Sequence, residues 1–127
     1  MKACRLTIAT TIDGTKTEIS RDGSFDVAPL YAKLQYNEDN ATVLIVLENG
    51  VVQIQRTGDY TLRLTLKEGE RTDGALGING SEGVLEVKTT RVAYTTTEKS
   101  LLLSLHYSLL VGDEPQKMKL RLFAREK

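Results

Sequence analysis

Apolar residues occupy every second position through most of the chain, and charged, hydroxyl or amide residues fill the positions between them. Successive side chains of a β-strand point to opposite faces, so this pattern predicts a sheet with one buried face and one solvated face. Cys4, Leu6, Ile8 and Ile12 share the first such phase, Asp13-Gly14 predicts a hairpin turn, and Thr15 to Arg21 reads as the return strand. Asp22-Gly23 predicts a second turn. Phe25 and Val27 begin a strand that Pro29 must end or place at an edge, because proline has no N–H to give to a ladder. Ala32, Leu34, Tyr36 and Glu38 then fall in one phase, Asp39-Asn40 carries a turn, and Val43, Ile45 and Leu47 lead into Asn49-Gly50. Asn-Gly between two alternating runs is the strongest short hairpin signal, since both turn positions need φ > 0.

Val51 to Gly58 alternates until Arg56, which falls on the face of Val52 and Ile54. Gly58-Asp59 turns the chain. Tyr60, Leu62, Leu64 and Leu66 line one face of the next strand, opposite Thr61, Arg63, Thr65 and Lys67. Glu68-Gly69-Glu70 turns into Arg71 to Leu76, and Gly77 to Gly83, GINGSEG, reads as the longest flexible connection. Leu85, Val87 and Thr89 alternate, but Val92 and Tyr94 continue one residue out of step, which predicts a β-bulge near Thr89 to Arg91. Leu101, Leu103, Leu105, Tyr107, Leu109 and Val111 form the longest apolar face. Gly112 to Gln116 reads as a turn, and Met118, Leu120, Leu122 and Ala124 return the chain.

Strands linked in sequence by short connections predict a closed antiparallel up-and-down β-barrel of about 8 to 10 strands, which removes the edges that a flat sheet would leave. A β-sandwich of similar strand count is the alternative; the uninterrupted hairpin order favours the barrel. The chain of 127 residues is read as one domain, 1–127. A domain of this size buries roughly two-thirds of the surface of its unfolded chain and needs no covalent staples.

Charge changes the picture locally and not globally. Seventeen basic and 17 acidic residues cancel, so no overall field draws in nucleic acid or an anionic membrane. One cysteine, Cys4, excludes an internal disulfide and points to a reducing compartment, the cytoplasm. The threonine-interrupted start reads as a strand and not as a signal peptide, and no run is long enough to span a bilayer as a helix. Asn40-Ala41-Thr42 and Asn79-Gly80-Ser81 match the glycosylation pattern but read as turn chemistry.

Val52 to Gly58 (VQIQRTG), Leu64 to Gly69 (LTLKEG) and Gly83 to Thr89 (GVLEVKT) resemble the bacterial YwiB-like family, a domain of unknown function with a calycin-like, that is lipocalin-like, β-barrel. The resemblance runs from the first strand to the last. It implies the fold and a bacterial cytoplasmic setting, and by fold-level analogy a small apolar ligand inside the barrel. The chain departs from the family pattern at Leu76-Gly77-Ile78-Asn79-Gly80, where an aromatic and a Thr-Pro pair are expected before the loop glycine.

Glu38 and Arg56 both point with apolar residues, on strands separated by one hairpin partner, and Thr89 adds a hydroxyl to the same face on a more distant strand. One reading is a polar site at the barrel mouth, in which the planar fork of Arg56 takes a ligand carboxylate or phosphate and Tyr36, Tyr60 and Tyr107 form the walls. The other is a structural Glu38–Arg56 pair, or an arginine reaching solvent past its apolar stem. His106, the one histidine, lies opposite Leu105 and Tyr107 and points outward. The scarcity of histidine, cysteine and clustered acids predicts no metal, no cofactor and no nucleophilic triad, and GINGSEG precedes no helix that would make it a phosphate loop. Lys117, Lys119, Arg121 and Arg125 line the outward face of the last strand, near Lys2 and Arg5 if the barrel closes. Only Phe123 is at hand for base stacking, which makes a nucleic-acid partner the less expected use of this stripe. The leading expectation is a non-catalytic module holding a small, apolar or amphipathic ligand in the barrel. The alternative is a structural or interaction protein with a side-chain-filled barrel whose outer surface binds a protein or RNA partner; an enzyme is third.

Overall fold

The computed structural model describes residues 1–111 and 113–127, except the side chain of Val111. Alternation becomes ten strands: β1 (Lys2–Ile12), β2 (Thr15–Ala28), β3 (Tyr31–Glu38), β4 (Ala41–Glu48), β5 (Val51–Gly58), β6 (Tyr60–Leu66), β7 (Arg71–Ile78), β8 (Ser81–Thr96), β9 (Ser100–Val111) and β10 (Glu114–Glu126). Each pairs antiparallel with its neighbour in the chain, and β10 pairs with β1, from Cys4 opposite Glu126 to Ile12 opposite Met118. The sheet is therefore a closed up-and-down barrel.

Three two-residue turns set the registers. Asp13-Gly14 (φ 47° and 88°), Asn49-Gly50 (51° and 79°) and Asn79-Gly80 (50° and 79°) all place both central residues in the left-handed region, as a hairpin turn that follows strand twist requires. The third overturns the expectation of a long flexible Gly77 to Gly83 connection. Gly77 and Ile78 finish β7 and pair with Glu82 and Ser81 of β8, so only Asn79 and Gly80 turn. Asn-Gly chemistry outweighs glycine content there.

Asp22-Gly23 is not a turn either. Both lie inside β2, where Gly23 pairs with Cys4 on one side and Tyr36 on the other as the strand extends from β1 onto β3. A Cβ at Gly23 would stand 2.5 Å from the Gln35 carbonyl oxygen, so glycine serves close backbone approach at a barrel bend. β2 then ends at Ala28, and Pro29 and Leu30 (φ 62°) make the turn to β3. The expected turn at Gly112 to Gln116 is shorter than its sequence suggests: Gly112 lies outside the described residues, and Pro115 and Gln116 already pair with Leu110 and Leu109.

Inside, nine strands contribute buried residues to one apolar cluster, and β7 packs partly buried Leu76 against it. Leu6, Phe25, Leu34, Leu47, Leu66 and Leu103 are among the largest fully buried side chains. The clefts described on the molecule open at its surface, and one of them, over β4, β5 and β6, is lined in part by Ile54 and Leu64 of this cluster. Outward positions are largely polar, the reverse of a lipid-facing barrel band.

One buried polar group interrupts the core. Thr89 is 1% exposed and its Oγ1 has no hydrogen-bond partner. An unpaired buried hydroxyl costs free energy that an isosteric methyl does not, so Thr89→Val should stabilise the protein by about 1 kcal/mol. Thermal unfolding should register this as a rise of about 4 °C. A lower midpoint would show instead that the hydroxyl has a bonding partner, such as a buried water.

Candidate functional site

Arg56 is fastened on three edges and one face. Its side chain is 12% exposed; Nε donates to Glu38 Oε2 at 3.4 Å, Nη1 donates to the Tyr60 carbonyl at 2.9 Å, and Nη2 lies 2.8 Å from Asp59 Oδ1. The Tyr60 ring stacks with its centroid 3.7 Å from Cζ. Burial opposes the Arg56 charge, but the Asp59 hydrogen bond, followed by Tyr60 and Glu38, outweighs it and raises the guanidinium above its ordinary value. Arg56 in turn holds the Asp59 carboxyl below its own. Gly58 completes the join, because a Cβ there would collide with the Asn40 carbonyl and Ala41. This cluster clasps the β3–β4 turn to the β5–β6 turn, and all three edges of the guanidinium have partners within the chain.

The other expected wall residues divide. Tyr60, 38% exposed, sits on the rim against Arg56 and not in the interior, because it lies one residue from the turn. Tyr36 and Tyr107 are buried. Burial, then the nearby Glu38 and Tyr107, raises the Tyr36 hydroxyl far above its ordinary range, and burial pushes Tyr107 up to about 12. Both stay neutral and offer no phenolate. Thr89 pairs with Tyr107, but its main chain is bonded to the β6–β7 turn, at the barrel end opposite the β5–β6 turn, and no contact joins it to Arg56.

That bonding belongs to the bulge, which builds a different surface. Thr90 is the extra residue in β8: Thr89 faces Tyr107 across the ladder, and the next paired residue, Arg91, faces His106. The β6–β7 turn grips this irregularity through Gly69 N to Thr89 O (2.9 Å), Thr89 N to Glu70 O (3.1 Å) and Val92 N to Glu68 Oε1 (3.0 Å). One added residue reverses the phase, so Arg91 joins the outer face and Val92 turns toward the core.

Barrel closure then extends the outer row. Arg91 pairs with His106, His106 with Lys119, Lys119 with Thr11, and Thr11 with Lys16, across β8, β9, β10, β1 and β2. The adjacent row runs Ala93, Ser104, Arg121, Ala9 and Glu18, and on the other side Lys88, Ser108 and Lys117 are ladder neighbours. Lys16, Lys88, Arg91, Lys117, Lys119 and Arg121 are exposed, and among the described residues none has a carboxylate within 4.0 Å. At the margins Arg5 pairs with Asp22, Arg71 with Glu86 and Lys2 with Glu126. Two shallow concavities of about 260 and 250 Å³ lie along the rows and share Ser104 and Arg121. His106, half-buried, is lowered below its ordinary value by burial and then by Lys119 and Arg91.

Lys117, Lys119, Arg121 and Arg125 are thus on the outer face, as their phase implies. Arg91, His106, Lys88 and Lys16 were not associated with them in the sequence. The phase slip at Thr89 to Arg91 was the available signal for Arg91; Lys16 joins only through closure.

The fold and these groupings define a closed, ten-stranded antiparallel barrel with an apolar interior and a basic strip on its outer wall. The chain belongs to the family described as Domain of unknown function (DUF1934), whose model matches residues 5–122. Its fold is similar to the crystal structure of ywiB protein from Bacillus subtilis, with a TM-score of 0.84 and 18% sequence identity, covering 99% of this chain and 92% of that one. The resemblance read from the strand segments therefore holds. No curated protein matches the chain.

Proposed function

We propose that the protein is a non-catalytic interaction module, with the filled barrel as a rigid scaffold and the outer face from β8 to β2 as the contact surface for an anionic partner. The observation that carries this reading is the set of exposed cations on β8, β10 and β2 that, among the described residues, lack carboxylate partners. A folded protein gains nothing from holding like charges together, and such a strip lowers the energy of an approaching anion. The packed interior and the engaged Arg56 fork favour this surface over a small ligand held inside. On the family resemblance and the unpaired, buried Cys4, we place the scaffold among the calycin-like barrels and in the cytoplasm.

Heparin-agarose chromatography tests the surface. The wild-type protein should be retained at low salt, and the Lys119→Glu/Arg121→Glu double variant, checked for its fold by circular dichroism, should pass through. Equal elution of the two proteins would overturn the proposal.

A further inference from the structure

We infer that the anionic partner is a nucleic acid, held by its phosphodiester backbone along the strip from Arg91 to Lys16, an inference that rests on the basic face being a contact surface. Adjacent strands lie about 4.8 Å apart, so the row Arg91, His106, Lys119, Thr11, Lys16 spans four spacings, about 19 Å. Along β10, Lys117, Lys119 and Arg121 follow at two-residue steps of about 6.7 Å, close to twice the 3.4 Å rise per nucleotide of a duplex strand. Lys117, Lys119 and Arg121 along β10, with Arg91 and Lys16 each two strands away, spread the charge in two directions, which suits a chain of phosphates better than a single carboxylate or phosphate group.

The floor supports the same partner. Ser104 and Ser108 on β9 and Ala9 and Thr11 on β1 are small, so a shallow floor lies on either side of the cations of β10. Its hydroxyls are of the kind that donate to phosphate oxygens. The aromatic anchors that carry most protein–protein contacts are absent from the middle of the strip, and so is the stacking platform of a base reader. Phe123, 43% exposed, lies one row beyond Arg121, opposite Leu102 and Thr7. Recognition by charge and hydroxyl alone reads backbone and not sequence. Glu18 of β2 lies two residues from Lys16 and closes the strip on that side, which favours a narrow anionic strand over an extended anionic membrane.

His106 supplies a linked signal. Arg91 and Lys88 on β8 and Lys117, Lys119 and Arg121 on β10 surround it, Ser104 and Ser108 flank it on β9, and no carboxylate lies across from it. Burial and then repulsion from Lys119 and Arg91 disfavour its charged form, and a phosphate laid over the row offsets the repulsive part. Binding therefore takes up a proton, and affinity rises as pH falls below the ordinary histidine value of 6.5.

Fluorescence anisotropy with a labelled 20-nucleotide oligouridylate and a labelled 20-base-pair duplex DNA, in potassium chloride from 50 to 200 mM, tests the inference. At least one of the two should bind with log K falling against log salt at a slope of about −3 to −5, as four or five phosphate contacts require. Lys119→Glu/Arg121→Glu should weaken it roughly 50-fold or more, and His106→Gln should flatten its rise below pH 6.5. Lys33→Glu/Arg63→Glu makes the same change in net charge away from the strip, on the outward faces of β3 and β6, and should leave binding intact. Loss of heparin retention in the strip variant without oligonucleotide binding by the wild type would overturn the inference alone. Equal competition by polyglutamate at matched charge would do the same, as would tighter binding to phosphatidylserine vesicles than to either oligonucleotide. Unchanged heparin retention would remove the reading beneath it as well.

Discussion

Deletion of Thr90 should weaken the barrel by about 3 kcal/mol and leave its fold intact. Without the extra residue Thr89 and Arg91 become consecutive and keep their ladder partners Tyr107 and His106, so Arg91 stays on the outer face and Val92 and Tyr94 still turn toward the core. The bend of the bulge is lost, and with it the geometry of the three hydrogen bonds from the β6–β7 turn, each worth about 1 kcal/mol. Thr90→Ala keeps the residue count and loses only the Oγ1 bond to the His106 carbonyl, 3.2 Å long and exposed, so it should cost less than about 1 kcal/mol. Circular dichroism and urea unfolding of the pair separate the count from the side chain. A deletion variant as stable as Thr90→Ala would mean that the β6–β7 turn does not depend on the bulge.

Arg56→Ala should destabilise the barrel by about 2 kcal/mol, below the 3 to 5 of a fully buried pair, because Glu38 is about one-third exposed and remains hydrated when left alone. The loss combines the stacking on Tyr60, the bond to the Tyr60 carbonyl and the join between two turns. Arg56→Lys should recover only part of it, since an ammonium cannot reach three partners in one plane. The acid limb offers a second check. Arg56 lowers the folded Asp59 pKa below its ordinary value of 3.8, so the stability linked to this pair is present above pH 3.8 and is lost as pH falls through the folded value. Asp22 is also lowered, by Lys127 and then Arg5, but it contributes equally to both proteins. The stability difference between wild type and Arg56→Ala should therefore narrow in acid below about pH 4. A constant difference down to pH 2 would assign the loss to packing alone.

The clasp and the strip differ in how far the chain discloses them. Glu38 and Arg56 stand out because each interrupts a local alternation, and their short separation through one hairpin partner makes the pairing readable. Asp59 and Tyr60, which complete the grip on Arg56, show in the sequence only as a turn and a wall residue, because which guanidinium edge meets which group depends on how the turn folds back. The bulge was legible as a phase slip, since side-chain direction has a period of two and any added residue reverses it. Its consequence for Arg91 needed the ladder partner, His106.

Glycine shows the same division. Asn49-Gly50 and Asp13-Gly14 announce their turns because left-handed backbone is a local property. Asp22-Gly23 has the same spelling and lies inside a strand, because what excludes a side chain there is the Gln35 carbonyl, a neighbour brought in by β3.

Local covalent geometry thus let the sequence alone determine the strands, most of their turns and the apolar face of each, and it favoured the closed barrel over a sandwich without deciding between them. Tertiary structure alone decided what lies across a ladder: that Arg56 is held by Glu38, Tyr60 and Asp59, and that Lys16 and Arg91 stand in one row with His106 and Lys119. Alternation records which face a side chain takes, whereas the neighbours on that face are set by register and closure, which join residues as far apart in the chain as Thr11 and Lys119.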